Sequence, residues 1–318
     1  MHFDVSGVDV FPLIPVLVAF VVSFFTSMGG VSGAFLLLPF QMSVLGFVSP
    51  SVSPTNLVYN IVAIPSGVYR YIKEGRMAWP LAWVIIVGTL PGVFLGAIIR
   101  IKYLPDPKNF KFFVGCVLLY IGIRLLLDLT KKAAEKKLKT RMLEERFKER
   151  SSLVKKGLQS GQGQDAAIKT ISFSFTRYSY EFYGETFAFN TAGLFALTFV
   201  VGMIGGTYGI GGGAIIAPFL IAVFGLPVYT IAGAALLGTF ITSIAGVIFY
   251  TIIAPAYADT GFAIAPDWVL GTLFGVGGFL GMYLGARAQK YVPAKSIKLV
   301  LALILLFLAL RYIVGIFT

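Results

Sequence analysis

The sequence predicts an all-α integral membrane protein made of two inverted repeats, each with a glycine-interrupted helical hairpin plus three long spans. Three observations predict it. The 318 residues are 57% hydrophobic and only 13% charged, with a mean hydropathy of +0.86; soluble domains lie near about 45–50% apolar and about 25% charged. The apolar residues gather in stretches long enough to cross a bilayer. The first half of the chain reappears in the second, with its glycines in register.

Composition excludes several classes at once. One cysteine, Cys116, cannot make a disulfide scaffold. The 36 glycines sit in apolar stretches rather than polar linkers, as in membrane helices. The net charge of +12 is localised: thirteen of the 26 Lys and Arg fall between Lys131 and Arg177. A basic loop beside apolar spans reads as a positive-inside signature, not as a nucleic-acid surface.

The apolar runs follow in order at 12–28, 33–47, 55–72, 79–99 and 110–128, then at 190–206, 211–225, 229–254, 268–286 and 296–316. A span needs about 20 apolar residues. The segments 33–47 and 211–225 are too short to cross comfortably. Each follows a glycine cluster, and each ends at a glycine, Gly46 and Gly225. Met1–Phe11 carries Asp4 and Asp9 but no Lys or Arg. A secretory signal needs a basic start, so the first apolar stretch is expected to be retained.

Three units are expected. Residues 1–128 form the first membrane repeat, 129–189 a cytoplasmic basic linker, and 190–318 the second repeat. Within the linker, Lys131–Lys156 reads as a solvated helix. Around Ile171, Phe173 and Phe175 the pattern alternates, then turns aromatic at Tyr178, Tyr180, Phe182 and Tyr183; that suggests a short strand or hairpin.

At a shift of 179, Gly30, Gly33, Pro39, Phe40, Gly46, Leu57, Gly67, Val68 and Tyr71 fall on Gly209, Gly212, Pro218, Phe219, Gly225, Leu236, Gly246, Val247 and Tyr250. At a shift of 189, Gly88, Gly92 and Gly96 fall on Gly277, Gly281 and Gly285. If each glycine-interrupted pair folds as a hairpin, the number of crossings per half is odd and the second half is inverted. That arrangement puts twenty Lys and Arg on one face and four on the other, Arg100, Lys102, Lys108 and Lys111. A parallel arrangement is less lopsided, so charge favours inverted repeats with the N-terminus outside.

The spans lack the groups that most membrane chemistry needs. None of the fourteen acids lies in the middle of a span, and the one histidine is His2. Proton pumps and cation carriers use intramembrane carboxylates; membrane hydrolases need paired Asp, His or Ser–Lys groups. No catalytic residue, metal ligand set or cofactor is therefore expected, and the chain does not read as an enzyme.

What remains is glycine and a few uncharged polar residues. The clusters around Gly29, Gly30, Ser32 and Gly33 and around Thr207, Tyr208, Gly209, Gly211, Gly212 and Gly213 break their helices at matching places. The short helices that follow begin with free N–H donors and the positive end of the helix dipole. Two such ends near the midplane would hold an anion without a buried cation. Asn56 and Asn60 share a helical face, and Thr239 and Ser243 lie in the matching span, Thr239 opposite Asn60 in the repeat. Such amides and hydroxyls can donate to an oxyanion more cheaply than a buried charge. The competing reading is close helix packing for the glycines and interhelical bonding for the amides. For Gly88, Gly92, Gly96 and Gly277, Gly281, Gly285, spaced by four, packing is the preferred reading.

The paired glycine breaks followed by Pro39-Phe40 and Pro218-Phe219 resemble the TauE/SafE family of sulfite and organosulfonate exporters, a group with 4-toluene sulfonate uptake-type permeases. So do Pro54-Thr55-Asn56-Leu57 and the exit Tyr69-Arg70-Tyr71-Ile72-Lys73-Glu74-Gly75. The resemblance covers both membrane halves, excludes the middle loop, and is closer in the second half; in the first, Ser32 and Ala34 stand in place of glycines. It implies transport of sulfite, sulfoacetate or other organosulfonates, where the residues alone reach only a small anion. The expectation is an alternating-access carrier in the cell membrane, multi-pass, with loop 129–189 cytoplasmic. The alternatives are an anion channel and a non-transporting scaffold acting through the basic loop. The expected partners are a small anionic substrate and the lipid bilayer, with a homodimer as an option and no nucleic acid.

Overall fold

The structure is a computed structural model that describes residues 1–29, 32–73, 77–127, 129–130, 168–174, 177–182, 185–213, 215–216, 219–220, 228–288 and 294–317. The expected helix at Lys131–Lys156 lies outside the described residues, as does Gly30. The membrane part is all-α, as the composition requires: lipid offers the backbone no partner, so each span must satisfy its own peptide groups.

The first half runs through helices α1 (Leu13–Gly29), α2 (Ala34–Ser43), α3 (Val52–Ala63), α4 (Pro65–Lys73), α5 (Trp79–Lys102) and α6 (Pro107–Leu127). The second runs through α7 (Thr191–Tyr208), α8 (Val228–Ile253), α9 (Trp268–Ala288) and α10 (Ala294–Val314), with a 3-10 turn at Ala254–Thr260. Among the described residues, five helical segments are long and apolar enough to cross a bilayer: Trp79–Lys102, Pro107–Leu127, Thr191–Tyr208, Ile231–Thr260 and Trp268–Gly285. Outward-facing Trp83, Val87, Ile252, Leu303 and Phe307 stay exposed, as suits an apolar surface bathed in lipid.

Two antiparallel sheets frame these helices. The small hairpin β1 (His2–Phe3) and β2 (Val8–Asp9) precedes α1. Where the sequence suggests a strand or hairpin in the linker, three strands form: β3 (Ile168–Phe173), β4 (Arg177–Phe182) and β5 (Glu185–Asn190), in the order β3-β4-β5. Tyr178 stacks beside Tyr180 and meets Phe189 edge-on. These rings need the third strand to cover them, which the alternation of one strand alone does not reveal. Asn190 ends the sheet and caps α7, its side chain accepting from Gly193 N at 2.9 Å.

The halves exchange partners. α5 packs along α7, and α1 packs along α9. Both contacts run on the four-spaced glycines. A Cβ on Gly92 or Gly96 would strike the backbone of α7 at Phe199 and Met203, and one on Gly277, Gly281 or Gly285 would strike α1 at Val16, Phe20 and Phe24. The missing side chains thus let backbones touch, which drives helix association where lipid is as apolar as leucine. In both pairs the residue numbers rise together, so the paired helices are parallel. α3 and α4 together run the other way along α8: Gly67 of α4 meets Leu236 while Gly246 meets Leu57 of α3. Those four residues are two matched pairs of the sequence repeat, so the contact is reciprocal. α6 and α10 are also antiparallel, Gly115 lying against Tyr312 and Gly122 against Leu306.

One end of the bundle is closed by polar contacts. Asp267, buried, accepts from Ser6 Oγ at 2.8 Å and from Leu270 N at 3.0 Å, capping α9 and pinning the N-terminal hairpin. Ser51 and the carbonyl of Ala265 meet at the same end.

Replacing Gly92 or Gly281 by Leu should lower thermal stability in detergent by about 1–3 kcal/mol or prevent folding. Gly193→Ala, whose new methyl would meet only ordinary contacts near Asn190, should stay within about 0.5 kcal/mol of the parent. Unfolding midpoints followed by circular dichroism check both.

Candidate functional site

The two glycine breaks meet at one pair of side chains. α1 ends at Gly29, and α2 starts at Ala34 with Gly33 as an N-cap that lends no side-chain bond. α7 ends at Tyr208; Gly209 follows at φ 86° and Gly211 at φ 78°. Residues with a Cβ rarely adopt that left-handed region, so the turn out of α7 depends on glycine at both positions.

Asn56 bridges the breaks. Its Nδ2 donates to Gly209 O at 2.9 Å and to Ala34 O at 3.2 Å, and its Oδ1 accepts from Gln41 Nε2 at 3.3 Å. One turn on, Asn60 Nδ2 donates to Ile210 O at 3.0 Å and to Ser243 Oγ at 3.3 Å. Three of these four amide protons hold the broken backbone, and the fourth goes to the Ser243 hydroxyl. Ser243 accepts from Asn60 and keeps its own proton. Asn60 Oδ1 and Gln41 Oε1 are buried acceptors with no protein partner among the described residues.

The remaining candidates divide by role. Tyr208 donates from its hydroxyl to Phe35 O at 2.9 Å, a third tie between the breaks. Gly212 N donates to Thr242 Oγ1 at 3.1 Å. A Cβ on Gly211 would press on Ser243 and Thr239; one on Gly213 would strike the backbone carbonyl of Ala235. Thr239 donates to Ala235 O within its own helix at 2.8 Å. Thr207 donates to Gly96 O at 3.0 Å, so its side chain staples α7 to α5. On the first break, Ser32 Oγ accepts from Ala34 N at 3.3 Å. Beside Gly33, Tyr59 and Ser23 share a hydrogen bond of 2.9 Å.

Several residues join the site that the repeat pattern does not single out. Ser53 donates to Thr207 O at 3.0 Å. Thr89 packs against Gly212. Gln41 was legible in principle, as the one amide in an otherwise apolar short helix. Arg100 is the largest departure: counted with the exposed loop 100–111, it is instead fully buried in the last turn of α5. Its guanidinium donates to the carbonyls of Leu104, Val48 and Ser49 and lies 3.7 Å from the Phe110 ring centroid. Five donors, a flat face and backbone acceptors let the head group be buried where a sequence reading expects solvent. No acid pairs with it among the described residues.

Among the described residues no cluster of His, Cys, Asp or Glu could hold a metal. What the arrangement offers among the described residues is a helix start at Ala34, a glycine turn with backbone N–H groups, a hydroxyl and unmatched amide oxygens.

Arg100→Met keeps the bulk but orphans three carbonyls. It should cost about 1–3 kcal/mol of stability, read as a lower melting midpoint in detergent, whereas Lys102→Met on the exposed side of the same turn should cost little.

No curated protein and no solved structure matches the chain. A family model does, that of the sulfite exporter TauE/SafE, over residues 15–312. That span takes in both halves and both glycine breaks, so the chain belongs to the TauE/SafE sulfite exporter family, whose members are membrane transporters rather than enzymes.

Proposed function

We propose that this transporter moves small sulfur oxyanions, sulfite or organosulfonates such as sulfoacetate, by alternating access between two inverted repeats. The observation that carries the reading is the Asn56 bridge, which ties the break of one half to the break of the other. Substrate would bind where those breaks meet. Backbone N–H groups at Gly33, Gly211 and Gly213 and the hydroxyl of Ser243 would donate to its oxygens. The unmatched Asn60 Oδ1 would accept from the O–H of hydrogensulfite or of a protonated sulfoacetate carboxyl, an arrangement that favours movement of such an anion with its proton over movement of the bare charge.

Inversion is supported by the helix directions: the matched segments α3–α4 and α8 run antiparallel, as do α6 and α10. Reciprocal contacts are what a pseudo-two-fold axis produces. Under this reading the end holding Asp267 and the N-terminal hairpin faces outward. Loop 129–189, with its excess of Lys and Arg, is cytoplasmic. The absence of a cationic side chain among the proposed substrate contacts suits a carrier, since a tightly paired anion would leave slowly. An anion channel would pass large unitary currents with no counterflow. A scaffold working through the basic loop would be indifferent to the glycines.

Purified protein in liposomes tests the proposal. Uptake of labelled sulfite or sulfoacetate should saturate and show counterflow, and an inward proton gradient should accelerate it. Ser243→Ala should raise KM several-fold with the fold intact; an unchanged KM would remove Ser243 from the site. Movement of Na⁺ or K⁺ with no sulfur oxyanion would end the proposal.

A further inference from the structure

A second concentration of positive charge lies away from the glycine breaks. A cavity of about 260 Å³ is lined by Met42, Ser43, Lys108, Lys111, Arg311 and Tyr312, with Gly315 at its edge. At about 30 Å³ per water, it has room for a small oxyanion with part of its hydration shell. It lies between the end of α2, the start of α6 and the end of α10. The ten residues of α2 separate it from Gly33 by about 15 Å, at about 1.5 Å per residue.

The side chains converge for a structural reason and at an electrostatic cost. Lys108 and Lys111 are three residues apart, so they share the face of α6 that continues to Gly115, where α10 packs. Arg311 is on the adjoining turn of α10. Tyr312 is fixed between them and α2, its hydroxyl 2.6 Å from Ser43 Oγ and donating to Pro39 O at 3.2 Å. Like charges at this spacing repel, and Lys108 stands in the first turn of α6, where the helix dipole disfavours a cation. The nearest acid in sequence, Asp106, caps α6 by accepting from Asn109 N at 2.9 Å and does not line the cavity. None of the three cations has an ion-pair partner among the described residues. Three cations around a concave space with no acid are what a small dianion or monoanion needs.

We propose that this cavity is a peripheral binding site for a tetrahedral or pyramidal oxyanion head group, sulfonate, sulfite or phosphate. The arginine fork and the two ammonium groups would contact its oxygens, with Ser43 and Tyr312 forming the polar floor. The site does not depend on the transport reading. Its location at the end of the bundle gives two sources for the same chemistry: a free anion from solution, or the phosphate of an anionic lipid.

The full-length protein in detergent tests it, with ³⁵S-sulfate as the free probe and phosphatidylglycerol, followed by native mass spectrometry, as the lipid probe. At low salt the wild type should bind at least one of them. The variant carrying Lys108→Gln, Lys111→Gln and Arg311→Gln should lose about tenfold or more in affinity. The exposed single change Lys108→Gln, which disturbs no packing, should lose about two- to fivefold, the share expected of one exposed charge. Lys102→Gln should change nothing. Loss of sulfate binding alone identifies a solute site; loss of lipid binding alone identifies a headgroup site. Unchanged binding of both probes by the two variants, or no binding by the wild type, overturns the proposal. A wild type that binds here but moves no sulfur oxyanion leaves this site standing and removes the transport reading instead.

Discussion

Backbone in lipid must find its hydrogen bonds within the protein, and this chain breaks two helices where it can least afford to. Everything at the centre of the molecule answers that constraint. Asn56 and Asn60 spend four N–H donors, three of them on carbonyls that the breaks expose. Tyr208 and Ser53 meet two more carbonyls. An uncharged amide suits this task because it carries two donors on one rigid group and costs less to bury than a charge. The breaks are therefore tolerated because each half supplies donors to the other.

That exchange also explains the packing around it. Four-spaced glycines let α5 lie on α7 and α1 lie on α9 with backbones in contact. Each half thus presses its glycine-bearing helix against the first helix of the other half. The glycine contacts leave no side chain between the facing backbones, and the amide bridge keeps the peptide groups at the breaks paired. The same logic accounts for Arg100, a cation held by three carbonyls and an aromatic face at the end of α5. It closes the loop at 48–51 without needing an acid.

The residues of the candidate site that stand at the breaks were readable before the fold. The breaks, their register with Pro39 and Pro218, and the polar residues Asn56, Asn60 and Ser243 all stand out because polar and flexible residues are scarce in apolar spans. Arg100 was not readable, since a terminal arginine followed by Lys102 and Asp106 has the look of a solvated loop. Its burial depends on carbonyls fifty residues away, at Val48 and Ser49. Nor did sequence show that the amides bind backbone: residue type reveals donors and acceptors but not which carbonyl lies opposite.

By itself the sequence determined the membrane class and the places where helices stop, because hydropathy and glycine content are local properties. Only the tertiary structure decided how those pieces face one another. It paired α5 with α7 and α1 with α9, turned α3 against α8, added a third strand to the linker sheet and drew Asn56 between the two breaks. The helix pairings among them join residues more than a hundred positions apart. They follow from which surfaces fit at close range, and a linear pattern of apolar and polar residues carries no record of that fit.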